Sequence, residues 1–306
     1  MKEEYSRSKY WINYPGQFGL LLSLFGGGII VLAVLMGLYL VISGADINES
    51  STFFTMDSLS PKGMRIVQIF GSIFQFGLPA LLLALILKQK PAEFFYLNTK
   101  SSLKIMLYVS LLAFSGLAMS DLLSFINHQI PVSAEAYASY RAKEIQYMEQ
   151  VFKIADFSNF GYILLSLFIL AVLPGFFEEL LFRGALQPIL IGWSKSAFWG
   201  IFITSLLFSL LHLSYFGFLP RLFLGMVLGY IFYYTKNLWM SILFHFLNNA
   251  FAVASFYLYS KKGELDFEKA TEHMPLYLSI GGSVVFCIIF YLFYKESVKE
   301  NTLPAD

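Results

Sequence analysis

Glu178, Glu179 and Arg183 stand inside an otherwise apolar run, Gly175-Phe-Phe-Glu-Glu-Leu-Leu-Phe-Arg-Gly184, and later apolar runs carry His212, His245 and Asn249. An ionisable side chain at the bilayer centre costs about 2.5–3.5 kcal/mol on insertion scales, so such a cluster needs partners or a task that uses it. The chemistry these residue types offer is hydrolysis by activated water. A carboxylate beside a histidine takes a proton from water. A second histidine with an amide donates hydrogen bonds to a developing oxyanion.

Helical phase separates the roles. Glu179 and Arg183 are four apart, so they share a face and can pair. Glu178 points about 100° away and is free for another partner. Phe208 shares a face with His212, as His245 does with Asn249, whereas Asn248 turns off that face. At about 1.5 Å rise per residue, Glu178 lies roughly 18 Å, His212 roughly 21 Å, His245 roughly 12 Å and Asn249 roughly 18 Å from the same membrane face. This common depth requires that the helix bearing Glu178 continue to Leu190, and Pro174-Gly175 is a place for it to bend.

The elements that must hold these groups are membrane spans. The chain is 57% hydrophobic and 13% charged, the composition of a polytopic membrane protein rather than a soluble domain. A net charge of +1 gives no reason to expect a nucleic-acid partner. The 33 phenylalanines are expected to face lipid and fill packing surface. Eight runs approach the roughly 20 residues a spanning helix needs. They are approximately 18–42, 67–88, 103–126, 161–190, 197–213, 219–235, 238–259 and 274–294. The first is too long for a signal-peptide core and reads as a retained anchor. The fold class is therefore an all-α polytopic bundle of about eight transmembrane helices. Its organisation reads as residues 1–160, N-terminal helices and an outer loop; 161–259, the core; and 260–306, a last span and tail, all in one membrane domain.

Basic residues (Lys2, Arg7, Lys9, Lys88, Lys90, Lys100, Lys104, Lys195, Lys236, Lys295, Lys299) gather at one set of ends. Acids (Asp46, Glu49, Asp57, Glu135, Glu144, Glu149, Asp156, Glu264, Asp266, Glu268, Glu272) gather at the other. The expectation is a multi-pass protein of the cytoplasmic membrane with both termini cytosolic. Residues 134–156 read as an interfacial amphipathic helix and Pro91–Leu97 as an aromatic interfacial anchor. Gly225-Met-Val-Leu-Gly229 is a small-xxx-small packing face. Asp121 is expected as an outer cap or pair, and His128 and His273 as solvated loop residues.

Other hydrolase designs fit less well. There is no His-Glu-x-x-His for zinc, no Gly-x-Ser-x-Gly for a serine nucleophile, and Asp121 stands alone instead of forming an aspartate pair. The single cysteine, Cys287, rules out a cysteine-based zinc site and has no histidine near it in sequence. The ordered triple Glu178-Glu179-x-x-x-Arg183, Phe208-x-x-x-His212 and His245-x-x-x-Asn249, on successive spans, resembles the CAAX endopeptidase and bacteriocin-processing (CPBP or Abi) family of intramembrane proteases. The resemblance covers roughly residues 160–255.

It implies a glutamate-dependent membrane endopeptidase of eight helices. Carried over, Glu178 and His212 would activate water, His245 and Asn249 would form the oxyanion hole, and Glu179 with Arg183 would support the site. The implied partners are a hydrophobic or lipidated peptide substrate and the lipid bilayer. No cofactor is expected, although two histidines and a glutamate are also a set that zinc can use. Two rival readings remain at this point: a non-catalytic membrane protein that binds a peptide or confers immunity, and a proton-coupled transporter whose buried acid and histidines relay protons.

Overall fold

The computed structural model describes residues 10–42, 59–262 and 272–302. Among these, all regular structure is helical. The helices are α1 (Tyr14–Ile42), α2 (Pro61–Ile86), α3 (Leu103–His128), α4 (Ala134–Ile154), α5 (Phe160–Ser194), α6 (Ala197–Leu211), α7 (Phe218–Thr235), α8 (Leu238–Lys262) and α9 (Leu276–Thr302). Seven are long and apolar enough to cross a membrane. The chain is an all-α, multi-pass membrane bundle.

One expected span differs. The run 197–213 forms a helix of only 15 residues, α6, and His212 is its C-cap instead of an interior residue. Leu213 then takes a positive φ of 51° and the chain turns back into α7. Of the charges that set the expected orientation, Lys2, Arg7, Lys9, Asp46, Glu49, Asp57, Glu264, Asp266 and Glu268 lie outside the described residues.

Helix α5 runs unbroken for 35 residues, well past Leu190. Its prolines are accommodated by local widening. Proline lacks an N–H, and its ring crowds the carbonyl four residues back. Pro174 follows a π-helical stretch at Phe168–Val172, and Pro188 follows another at Leu180–Leu186. Pro79 in α2 follows a third at Ser72–Gly77. In each case the crowded carbonyl falls within the widened turn. The stretch 180–186 contains Arg183, so the same adjustment that admits Pro188 sets the turn on which the arginine is carried.

Two glycines on α7 bring three helices together. A Cβ on Gly225 would meet Ser205 Cβ of α6 at 2.9 Å, and one on Gly229 would meet Ile201 at 2.7 Å and Gln187 Oε1 at 2.8 Å. The small-xxx-small face therefore permits close approach of α6 and leaves two carbonyls open to α5. Arg183 Nη2 donates to the Gly225 carbonyl (3.1 Å) and Gln187 Nε2 to the Gly229 carbonyl (3.0 Å). Gly225→Ala is expected to cost about 1–3 kcal/mol through overpacking. Thermal unfolding in detergent checks it, and an unchanged midpoint would show that α6 can retreat freely.

The segment Pro91–Leu97 also packs inward. After a single helical turn, Phe95 is 2% exposed and lies against Gly184, while the Leu97 carbonyl accepts from the Trp239 indole at 2.8 Å. Phe95 thus wedges α5 against the start of α8. His128 and His273 are likewise not simply solvated. His128 stacks on Phe216 with centroids 4.6 Å apart, and His273 Nδ1 lies 3.1 Å from Asp121 Oδ1. Asp121 also accepts from the Ser279 hydroxyl, so it pairs across α3 and α9.

Helix α4 begins at the Ser133 cap and straps across the ends of other helices. At its far end Arg65 of α2 donates to the Ile154 carbonyl (2.9 Å) and to Asp156 (3.2 Å). Ser158, through its side chain and its backbone N–H, and Arg65 hold the Asp156 carboxyl below the usual carboxylate range. A depressed carboxylate pKa contributes stability that is present above the ordinary value of about 3.9 and is lost as pH falls through the depressed one. Asp156→Asn should therefore lower stability at neutral pH by no more than about 1 kcal/mol. Its melting curve should converge with that of the parent protein in strong acid; a gap that persists there would contradict the assignment.

Candidate active site

The site assembles where α5, α6, α7 and α8 cross. Its floor is a one-sided ladder on α5: Glu179, Arg183 and Gln187, four residues apart and all buried. Arg183 Nη1 donates to Glu179 Oε1 at 2.6 Å, both side chains having no exposure. The same guanidinium lies 4.7 Å from the Phe208 ring centroid on α6. An arginine in apolar surroundings thus gains a carboxylate, a backbone carbonyl and an aromatic face, the partners that offset its desolvation.

From α8, His245 reaches both acids. Its Nδ1 lies 2.8 Å from Glu179 Oε1, and its Nε2 lies 3.9 Å from Glu178 Oε2. Glu179 is thus shared between Arg183 and His245. Glu178 is held by neither: its Oε2 is buried without a hydrogen-bond partner, while the side chain as a whole keeps 12% exposure. The two adjacent acids differ in the way their helical phase requires. One is locked into a pair and the other faces the space between helices.

His212, at the end of α6, places Nδ1 2.7 Å from the Phe208 carbonyl. A carbonyl only accepts, so Nδ1 carries the proton and Nε2 offers a lone pair in the neutral ring. The Phe208 ring links the two histidines, 4.8 Å from His212 and 5.9 Å from His245 between centroids. Asn249 follows His245 by one turn of α8 and is half-buried. Asn248 is turned back onto the Phe244 carbonyl at 3.0 Å.

The contacts thus join Glu178, Glu179, Arg183 and His245 directly, and His212 through Phe208. Two further residues belong to the neighbourhood and escape the sequence reading. Gln187 extends the α5 ladder, and its place four residues after Arg183 is a signal that could have found it. Arg221, in the first turn of α7, acts electrostatically on both Glu178 and His212. Nothing in its local sequence marks it, because only the turn between α6 and α7 brings it back toward His212.

Among the described residues no three histidine, cysteine, aspartate or glutamate side chains are grouped to hold a metal ion. The Nδ1 edge of His245 is already committed to Glu179, whose Oε1 also carries Arg183.

Glu178, whose Oε2 lacks a hydrogen-bond partner, thus stands beside a histidine on a crossing helix and next to a buried glutamate–arginine pair, a polar cluster inside a helical membrane bundle. Residues 160–251 match the family model Rce1-like, type II CAAX prenyl endopeptidase, and this match, covering under half of the chain, supports the CAAX-protease family. It contains all seven residues of the sequence motifs. No curated protein and no solved structure matches the chain.

Proposed function

We propose that this protein is an intramembrane endopeptidase that hydrolyses a peptide bond in a membrane-associated or C-terminal peptide. The observation that carries the reading is the contrast between the two acids: Glu179 is bound by Arg183 and His245, while Glu178 Oε2 is buried and unpartnered 3.9 Å from His245 Nε2.

In this reading Glu178 is the general base. Water is held between its carboxylate and the lone pair on His212 Nε2. Glu178 takes a proton as the water oxygen bonds to the scissile carbonyl carbon. His245 and Asn249 donate hydrogen bonds to the oxygen that becomes negative. His245 can donate through Nε2 only as an imidazolium, since Nδ1–H is spent on Glu179. As the tetrahedral intermediate collapses, Glu178 returns its proton to the leaving nitrogen and the C–N bond breaks. No step needs a metal ion. The substrate is a hydrophobic or lipidated peptide presented from the bilayer, and the bias of basic residues in the sequence supports a reading with both termini in the cytosol.

The test is cleavage of a lipidated, fluorescently tagged peptide by purified protein in nanodiscs. Turnover that persists after exhaustive chelation supports the metal-free reading; loss restored by zinc would replace it. Binding without cleavage by intact protein would support a non-catalytic role.

A further inference from the structure

The two arginines near the site are treated in opposite ways. Arg183 is fully satisfied in its surroundings apart from Nε, whereas Arg221 forms no ion pair among the described residues, and its Nη1 is buried without a hydrogen-bond partner. A cation held this way within a membrane bundle is costly unless an anion completes it.

The surroundings of Arg221 are built and fixed. Its guanidinium lies against the backbone of Gly217, where a Cβ would collide with Nη1. The Tyr147 ring of α4 stands 6.0 Å from its central carbon. Glu144 of α4 accepts from the Ser214 hydroxyl at 2.6 Å. The turn itself is pinned from α3, since Asn127 donates to the Tyr215 carbonyl (2.9 Å) and accepts from Leu219 N (3.3 Å). Ser209 of α6 closes it by donating to the Phe218 carbonyl at 2.8 Å. Arg221 is therefore held at a set offset from His212, near enough for its charge to act on Glu178 and His212.

We propose that Arg221 receives the free C-terminal carboxylate of the substrate peptide, so that the enzyme reads a chain end. This rests on the peptidase reading above. A guanidinium presents a planar fork that matches a carboxylate. An extended tail advances about 3.3 Å per residue, so a short stretch beyond the scissile bond separates its terminal carboxylate from Glu178.

The experiment compares one lipidated peptide as its free acid and as its C-terminal amide, in nanodiscs of neutral lipid. With the intact protein the acid should show kcat/KM about tenfold to a hundredfold above the amide, mainly through KM, the range for a hydrogen bond to a charged group. Arg221→Gln should collapse that ratio toward one, and Arg221→Lys should restore part of it. Equal use of acid and amide by the intact protein overturns the proposal without any variant, as does a preference that survives in Arg221→Gln. A preference that depends instead on adding anionic lipid assigns Arg221 to a headgroup and also overturns it. Binding of both peptides is measured in parallel. If the intact protein cleaves neither peptide, the peptidase reading fails. Tighter binding of the acid that is lost in Arg221→Gln still supports the carboxylate site, and equal binding refutes it.

Discussion

Replacing Glu178 by glutamine is expected to lower kcat for peptide cleavage by about 10²–10⁴-fold, the range for loss of a general base, while leaving the folded protein at least as stable as before. The two halves of this expectation come from the same atom. Glu178 Oε2 is buried and has no hydrogen-bond partner, so the native state gains little from its charge and bears its desolvation. Glutamine preserves the shape and removes both the charge and the ability to take a proton. A residue retained for packing would behave in the opposite way: cleavage would fall only as far as the fold fell. The measurements are single-turnover cleavage and thermal unfolding on the same preparation. Cleavage at the parental rate would remove Glu178 from the chemistry whatever happened to the melting curve.

The sequence made the pairing legible because helical phase is a local property. Residues 179 and 183 share a face in any helix, and the ion pair at 2.6 Å follows even though the turn carrying Arg183 is π-helical. The His245–Glu179 contact was less accessible. Depth arithmetic could put both residues inside the bilayer at similar levels, but which nitrogen meets which acid depends on how α8 is rotated against α5. That rotation is set by packing. The segment 91–97 illustrates the same limit. Its aromatics read as an interfacial anchor, and only the space beside Gly184 shows the inward packing of Phe95. The early end of α6 was hidden because Leu213 carries the apolar run past the last helical turn. Arg221 could not be singled out, since its importance lies in the partners it lacks.

Replacing Glu179 by alanine should be the most damaging single change in the site for stability, costing about 3–5 kcal/mol, the range for breaking a buried ion pair from one side. Arg183 would keep the Gly225 carbonyl and the Phe208 face but lose the carboxylate it is hydrogen-bonded to, with no solvent exposure to compensate. For a chain of this size the loss corresponds to a fall of roughly 10 °C in the unfolding midpoint. The double variant Glu179→Ala/Arg183→Met should recover much of that stability, because a pair replaced by apolar groups leaves no orphaned charge. It should not recover cleavage. Glu179 also fixes the His245 ring through Nδ1 and so aims Nε2. Without that partner His245 can turn, and the oxyanion loses a donor, a change worth about 10²–10³-fold in kcat for a comparable donor. Stability restored while turnover stays low would separate the structural work of the pair from its work on His245. If the double variant instead regained both together, Glu179 would be acting only as the counter-ion of Arg183.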